Sequence, residues 1–439
     1  MTRRLVLLGG LVYGLLLFGL LTLKGGLIAL AVPLVIYLGA ALLYDPGKLH
    51  LSATCTLSSE CVLPGKPVIV KLAVTNHGSQ LEEVRIKDSL PPSLERVEGE
   101  AQVLTALKAG ETIELECTLR GKRGSYSFGD VQVTASDALG LFRRRERISA
   151  EAHLLILPEV QRLRPVAIRP PRTRDFPGPI PARQGGPGVN FFGVREYHVG
   201  DPLRWINWRV VARHTESLYT NVFEQERIAD VGLILDARQQ SDVLSPGSAL
   251  PGTLFDHSVR ATASLAEVFL DAGNRVGLLI YGSGMTRTFP GYGKVQRDRI
   301  MRALARAKTG FNYALENLEY LPTRFFPARS QIVMVSPLLP DDLRVLVRLK
   351  ACGYQVMVIS PDPIDFEAKS LAPHGTFQLA TRIARAERKL LLRELQRVGI
   401  QIVDWQVSQP LDRVIRVSLG RLPQRHAFAT LRAGRGMVP

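Results

Sequence analysis

The chain has 439 residues, which is enough for more than one domain of ordinary size. Its formal charge of +16 at pH 7 favours an anionic partner or surface, either phospholipid or nucleic acid. Four cysteines are too few for a disulfide scaffold in a chain of this length. Cys55 and Cys61 are close enough in sequence to pair in an oxidising compartment, but the cytoplasmic orientation argued below favours reduced thiols.

Residues 1–46 predict a transmembrane helical hairpin. Two uncharged apolar runs, 5–23 and 27–44, are each long enough to cross a hydrocarbon core as a helix. A signal peptide followed by one anchor is the alternative. The first run is longer than a usual signal core, however, and no small-residue cleavage site precedes the second, so the hairpin is favoured.

The positive charges around the two runs predict their orientation. Arg3 and Arg4 precede the first run and Lys48 begins the basic portion after the second, whereas only Lys24 lies in the turn. The positive-inside rule therefore predicts a multi-pass protein of the cell membrane whose termini and later domains are cytoplasmic.

Residues 47–157 predict an all-β, immunoglobulin-like sandwich. Short runs such as VIVKLAVTNHG and ETIELECTLRG alternate apolar with polar residues and end in turn formers. The next segment, 158–193, is rich in proline and arginine and has little apolar periodicity. It predicts a linker or an extended segment that wraps over a domain, and the sequence leaves these two alternatives open.

Residues 194–420 alternate strand-like and helix-like patterns. The buried-strand candidates are VGLILDA, RVGLLIYG, QIVMVSPL, YQVMVISP and IQIVDW, with amphipathic segments between them. This order predicts a parallel sheet covered on both faces, in which ligands bind at the carboxyl ends of the strands. Residues 421–439 form a basic tail.

The segment 194–213, VREYHVGDPLRWINWRVVAR, concentrates arginines, carboxylates and two of the three tryptophans. Its Gly-Asp-Pro sequence favours a turn, around which the charged side chains would form a hydrogen-bonded network. Trp205 and Trp208 would share one face of a helical turn and cover the edge of the sheet. We favour a structural belt over a partner-docking surface, which is the alternative. The signature residues are Arg195, Glu196, Tyr197, Gly200, Asp201, Arg204, Trp205, Trp208 and Arg213.

This segment, followed shortly by a strand that ends in Asp236, resembles the signature of the membrane-bound "domain of unknown function 58" proteins. The upstream sequence GSYSFGDVQVTASDALGLF resembles the end of the β-domain in that family, and the paired apolar runs agree with it as well. The resemblance therefore covers nearly the whole chain. It implies that the C-terminal α/β domain is similar to von Willebrand factor A domains.

The resemblance also implies a possible magnesium site, built from Asp-x-Ser-x-Ser after the first strand, a threonine from a second loop and an aspartate from a third. Only Asp236 is retained: Arg238 and Gln240 replace the two serines, Phe311 lies near the threonine position, and Pro337 stands where the aspartate is expected. We therefore expect no metal and no cofactor, and an ion pair between Arg238 and Asp236 instead. The rim of this degenerate site comprises Asp236, Arg238, Gln240, Asn312 and Ser336.

Two other functions are less well supported. His198 and Asp201 would suit a general base and its orienting carboxylate in a membrane-associated hydrolase, but no nucleophile elbow, phosphate loop or metal-spaced cluster accompanies them. Nucleic-acid binding agrees with the charge, but the sequence has no known binding motif and no specific nucleic acid is expected. The anionic cytoplasmic leaflet matches the charge better.

The sequence therefore predicts an α+β multidomain membrane protein that is not an enzyme. It would act as an adaptor or scaffold that presents a degenerate von Willebrand A-like domain to a protein partner. The family resemblance implies an AAA+ ATPase of the MoxR type as that partner, and the basic charge implies an anionic phospholipid surface as a second.

Overall fold

The computed structural model describes residues 3–23, 25–43, 48–136, 142–166, 168, 180–213, 216–244, 252–315, 321–322, 325–368 and 375–420. Its contacts divide the chain into two compact units, Met1–Pro158 and Glu159–Pro439. The division falls where the sequence changes from the β-rich region to the proline-rich segment. The basic tail expected at 421–439 lies outside the described residues.

The first unit begins with two apolar helices, α1 (Arg3–Thr22) and α2 (Gly25–Leu43), which contact each other. Gly19 lies where they approach, because a Cβ at this position would come within 2.8 Å of the Ile28 side chain. Large apolar side chains such as Phe18, which is 60% exposed, point outward. Arg4–Thr22 is long and apolar enough to cross a membrane, as an anchor or as a signal sequence, and the second apolar stretch, Gly25–Ala40, is shorter.

The rest of the first unit is made of two β-sheets. Its strands are β1 (Leu51–Leu57), β2 (Cys61–Val62), β3 (Val68–Asn76), β4 (Leu81–Asp88), β5 (Leu94–Gly99), β6 (Gln102–Leu107), β7 (Thr112–Gly121), β8 (Gly124–Ser136) and β9 (Arg143–Ile156). The sheets have the orders β1-β3-β7-β5 and β2-β9-β8-β4-β6, and all pairs except β2 with β9 are antiparallel.

The two sheets share one apolar core. Val74 of the first sheet lies in the same buried cluster as Ile86 and Val133 of the second. Along β3, buried and more exposed residues alternate, as expected for a strand with one face on a core. This arrangement agrees with the predicted all-β sandwich. Cys55, Cys61, Cys117 and Cys352 are free thiols.

The second unit contains a mainly parallel sheet. Its elements are β10 (Ile180–Glu196), α3 (Trp208–Val211), β11 (Tyr219–Arg227), β12 (Asp230–Ala237), α4 (Leu254–Asp271), β13 (Arg275–Gly282), β14 (Met285–Gly291), α5 (Gly293–Arg306), β15 (Gln331–Val335), α6 (Asp342–Ala351), β16 (Gln355–Pro361), α7 (Pro363–Ala368), α8 (Gly375–Arg397), β17 (Gln401–Trp405) and α9 (Leu411–Gly420). The sheet order is β14-β13-β12-β15-β16-β17, and only β14 is antiparallel to its neighbour.

The strand order places a switch point between β12 and β15. The chain moves from β12 outward to β14, and then returns to the other side of β12 for β15. Ligands of such sheets bind where the order reverses, outside the carboxyl ends of the strands. Asp236 near the end of β12 and Ser336 directly after β15 therefore lie at the edge where a site is expected.

The proline-rich segment is more ordered than the predicted linker 158–193. Its first part lies on the helices, because the Gln161 amide donates to the Ser264 hydroxyl and the Arg164 amide donates to Asp412. Its last part belongs to β10, which pairs with β11 with several register irregularities. A two-stranded ribbon has free edges, so it tolerates the prolines and glycines that suggested a loop. The sequence left a linker and an extended wrapping segment open, and this last part is an extended strand.

His257 gives the second unit a titratable group in its core. It lies in the first turn of α4, is only 4% exposed and packs edge-on against Phe366. Among the residues that the structure describes, none forms a hydrogen bond with the Nε2 atom of His257. Burial, reinforced by the charge of Arg260, lowers the pKa of His257 from 6.5 to about 4.

We predict that the second unit loses stability as the pH falls from 6.5 to 4. Over this range the unfolded chain binds a proton at His257 that the folded chain excludes, which costs the folded state at most about 3 kcal/mol. Trp205, Trp208 and Trp405 all belong to this unit, so denaturant unfolding followed by tryptophan fluorescence reports on it. The pH dependence should be weaker in His257→Leu, and equal pH dependence in both proteins would contradict the assignment.

Candidate functional site

The loops after β12, β13 and α5 meet at the carboxyl edge of the sheet. Arg238, directly after β12, forms an isolated bridge with Gly310, and Gly282 at the end of β13 lies against the Ala237 carbonyl. A Cβ at Gly282 would collide with that carbonyl, so only glycine permits the close approach. The Asn312 side chain donates to the Ser283 carbonyl and holds the loop after α5 in place.

A buried arginine occupies the switch point. The Nε of Arg238 donates to Asp236 Oδ1 at 2.9 Å and its Nη2 donates to Asp236 Oδ2 at 2.7 Å. The same guanidinium donates from Nη1 and Nη2 to the two oxygens of Asp342, at 2.9 and 2.8 Å. One planar guanidinium thus makes two bidentate contacts with carboxylates from β12 and α6.

The carboxylates of this cluster receive further hydrogen bonds. Ser336 Oγ donates to Asp236 Oδ2 at 2.7 Å and accepts from the Leu338 amide at 3.0 Å. The Leu339 amide donates to Asp342 Oδ2 at 2.9 Å. Leu338 has a φ of 64°, so the chain bends sharply between β15 and α6. We call Asp236, Arg238, Ser336 and Asp342 the Arg238 cluster.

The Arg238 cluster is almost completely removed from solvent, since its four residues are 0–3% exposed. Burial by itself lowers the pKa of Arg238, but hydrogen bonds and charge from Asp236 and Asp342 outweigh it and raise the pKa. Burial raises the pKa of Asp342, and the hydrogen bonds from Arg238 act against that rise. Asp342 also lies in the first turn of α6, where the helix dipole favours a negative charge.

The residues of the Arg238 cluster do not fit a metal ion. Every carboxylate oxygen in it already accepts a hydrogen bond from Arg238, and a divalent cation would lie beside a buried guanidinium. In the part of the chain that the structure describes, no group of three or more His, Cys, Asp or Glu side chains is arranged to hold a metal. The guanidinium supplies the positive charge at this position.

Only part of the predicted metal-site rim converges. Asp236, Arg238 and Ser336 are together, and the ion pair expected between Arg238 and Asp236 is present. Gln240 is exposed, and Asn312 donates to the Ser283 carbonyl.

A second arginine ties the other strand ends together. Arg388 of α8 donates from Nη1 to the Pro337 carbonyl at 2.8 Å, and from Nη2 to Asp404 of β17 at 2.8 Å. Its Nη2 also lies 3.1 Å from Ser360 Oγ at the end of β16. The side chain is only 9% exposed. Arginines therefore bind the carboxyl ends of β12, β15, β16 and β17.

Sequence reasoning missed Asp342 and Arg388. The acidic pair Asp341-Asp342 at the start of a helix after the third buried strand was a usable signal for Asp342, because that helix start faces the same sheet edge. Arg388 lies in a helix with several arginines, and nothing in the local sequence distinguishes it from the others.

The signature segment 194–213 begins with the end of β10 and then forms the predicted turn at 198–201. The Asp201 amide donates to the His198 carbonyl, and Gly200 has a φ of 111° that suits glycine. Arg195 Nη2 contacts Asp201 Oδ1 at 2.7 Å, and the His198 amide donates to Asp201 Oδ2. The hydrogen bond from Arg195 is the main reason that the pKa of Asp201 is lowered. The Tyr197 amide donates to the carbonyl of Leu218, which directly precedes β11, and so extends the pairing of β10 with β11 by one residue.

The rest of the predicted belt is looser than expected. Glu196 and Arg204 are exposed and form no ion pair among the described residues, although Arg204 lies 6.0 Å from the centre of the Trp205 ring. Trp205 ends one short helical turn and Trp208 begins another, because Asn207 between them caps the second turn. Trp208 is 67% exposed, so the prediction that both tryptophans cover the sheet edge is wrong. Arg213 is exposed as well.

The His198 and Asp201 side chains are not arranged as a general base and its orienting carboxylate. Asp201 binds the backbone amide of His198 and the guanidinium of Arg195, while the His198 residue is exposed. This geometry stabilises the turn and gives no support to a hydrolase.

Exposed apolar side chains lie beside the Arg238 cluster. Phe311 follows Gly310, which bridges to Arg238, and its ring packs edge-on against Tyr313 at 4.5 Å between centroids. The two residues are 50% and 86% exposed. Leu244 is 66% exposed in the loop that Asp242 joins to Thr309 by a hydrogen bond. We call Phe311 and Tyr313 the strand-end aromatic rim.

Residues 193–391 match the model of a protein family of unknown function, DUF58. The match includes the signature segment, the Arg238 cluster, the strand-end aromatic rim and Arg388, and it supports the family resemblance drawn from the sequence. It covers under half of the chain. The comparison with curated proteins found no match.

Three solved structures show distant likeness to parts of the chain. The FixG-related protein from Vibrio parahaemolyticus is 12% identical, with 24% of this chain and 95% of that chain covered and a TM-score of 0.17. The cupredoxin domain of amoB from Nitrosocaldus yellowstonii is 11% identical, with coverage of 29% and 99% and a TM-score of 0.20. The CARDB domain of a Pyrococcus furiosus protein is 13% identical, with coverage of 26% and 92% and a TM-score of 0.18. At these TM-scores the likenesses carry no argument about function.

We predict that Arg238→Met destabilises the second unit by about 3–5 kcal/mol, because it leaves two buried carboxylates without their cation. The measurement is denaturant unfolding of the full chain followed by tryptophan fluorescence. Arg195→Met is the matched control, since it removes an arginine from a pair whose arginine side chain is 43% exposed. That variant should shift the unfolding midpoint much less. Equal shifts in the two variants would contradict the role assigned to Arg238.

Proposed function

We propose that this protein is a membrane-anchored, non-catalytic adaptor whose von Willebrand A-like C-terminal domain presents its strand-end face to a protein partner. The observation that carries the proposal is the Arg238 cluster. In sheets of this topology the switch point normally receives a ligand, and here a guanidinium and two carboxylates fill it. We infer that the metal site of this domain is degenerate and that its strand-end face binds a protein partner.

The strand-end aromatic rim supports a protein as the occupant of that face. Exposed aromatic side chains are frequent anchors of protein interfaces, where they fill pockets of the partner. Phe311 and Tyr313 are held on a loop that is fixed by the Gly310 bridge and by the Asn312 hydrogen bond. A partner would therefore meet a rigid platform and lose little conformational entropy on binding.

The N-terminal apolar helices support the membrane part of the proposal. Their outward-facing leucines and Phe18 would be costly in water and favourable in lipid. We propose that α1 and α2 form a two-span hairpin and that both later domains are cytoplasmic, as the distribution of positive charge predicts.

We propose an AAA+ ATPase of the MoxR type as the partner, as the family resemblance implies. We predict that Phe311→Ser/Tyr313→Ser weakens binding of a purified MoxR-type ATPase from the same organism by about tenfold or more, because truncated aromatic anchors lose their buried area in the interface. The measurement is surface plasmon resonance on the full chain in detergent.

Tyr292→Ser is the matched control for that measurement. Tyr292 is 72% exposed, but it follows Gly291, which pairs with Val276 at the opposite end of the sheet. The control variant should bind as the wild type does. Equal loss in both variants, or no binding by the wild type, would reject the proposed docking face or the proposed partner respectively.

A further inference from the structure

The outer face of the second sandwich sheet carries a cluster of exposed cations. β9 contributes Arg143, Arg145 and Arg147, and β4 contributes Arg85 and Lys87. We call these five residues the basic sheet face. All five are exposed, and within the described part of the chain none of them forms an ion pair.

The pairing register places the five cations side by side. Thr134 of β8 lies opposite both Arg145 and Arg85, and Gln132 lies opposite both Arg147 and Lys87. Because neighbouring strands are about 4.8 Å apart, these backbone positions on β9 and β4 are separated by about 10 Å. Exposed carboxylates at outward positions of the same strands are Glu83, Asp130 and Glu151, with Glu82 in the bulge of β4, so the five cations are in excess.

Protection of a free strand edge does not account for the whole face. Charged side chains on a free strand edge discourage pairing with other chains, and this applies to residues 143–147 of β9, because β2 pairs only with Leu155 and Ile156. Arg85 and Lys87, however, lie on β4, which pairs with β8 on one side and with β6 on the other. Leu104 of β6 lies opposite Arg85 and is 55% exposed, which adds an apolar side chain beside the cations.

The short segment between α2 and β1 indicates what the basic sheet face binds. Only residues 44–50 separate the end of α2 from the start of β1. Seven extended residues span at most about 25 Å, so a membrane-inserted α2 keeps the sandwich close to the headgroup layer. Anionic headgroups near the surface attract basic segments within about a Debye length.

We propose that the basic sheet face binds the anionic phospholipid headgroups of the membrane in which α1 and α2 are inserted. The inference rests on the membrane anchoring in the proposed function. Electrostatic contact with the headgroups, with Leu104 at the interface, would restrict the orientation of the sandwich against the bilayer.

The test measures acylation of Lys87 by an amine-reactive reagent, with mass spectrometry as the readout. The full chain is reconstituted in phosphatidylcholine nanodiscs, with or without phosphatidylglycerol. We expect Lys87 to react about tenfold more slowly when phosphatidylglycerol is present, and high salt should abolish the difference. Lys71 is the internal control, because it is exposed on the outer face of the other sheet, on β3.

Two matched variants test whether the protection of Lys87 depends on the basic sheet face or on the net charge of the protein. Arg143→Gln/Arg145→Gln/Arg147→Gln should abolish the protection of Lys87. Arg299→Gln/Arg302→Gln/Arg306→Gln removes the same charge from exposed positions of α5 and should leave the protection unchanged. Equal loss in both variants would overturn the assignment to this face.

The remaining outcomes distinguish the two proposals. A chain that inserts in the discs but shows the same Lys87 reactivity in both lipids would overturn the headgroup inference alone. A chain that does not insert would overturn the anchor and the inference together. Protection of Lys87 by duplex DNA in phosphatidylcholine discs, without an effect of phosphatidylglycerol, would assign the face to nucleic acid.

Discussion

The C-terminal unit depends on one buried electrostatic interaction, in which Arg238 binds Asp236 and Asp342 at the switch point of the sheet. Ionised groups are expensive to remove from water, and the cost is recovered only if their hydrogen bonds are satisfied. Here the forked guanidinium, Ser336 and a backbone amide satisfy both carboxylates. The cluster joins the end of β12 to the start of α6, and it thereby fixes the loops around the strand-end face.

The same interaction occupies the position at which sheets of this topology commonly bind a ligand. A parallel sheet with this strand order offers a ligand site at the switch point, but function depends on the side chains present there. A guanidinium placed where an ion would bind keeps the charge without offering open coordination positions. The exposed side chains of Phe311 and Tyr313 lie next to this filled switch point.

The sequence predicted the order of elements well, because continuous apolar runs and alternating runs report burial on two faces or one. The pair of Arg238 with Asp236 was predicted because Arg238 stands where the family resemblance implies a metal-binding serine, and a guanidinium there can replace the charge of the ion. Asp342 and Arg388 were missed because their contacts join residues about 100 and 50 positions apart, which local patterns do not encode. The strand in 180–193 was missed because the proline content masked it, and the tryptophan belt was wrong because Asn207 divides the helical turn.

The most direct measurement is the effect of magnesium on unfolding of the second unit in the wild type and in Arg238→Ser, followed by tryptophan fluorescence. The substitution places a new hydroxyl beside Asp236, Asp342 and Ser336 at the switch point, and this oxygen-rich set is one that a hard cation prefers. We expect no stabilisation of the wild type by magnesium and a clear stabilisation of the variant. Stabilisation of the wild type by magnesium would contradict this expectation.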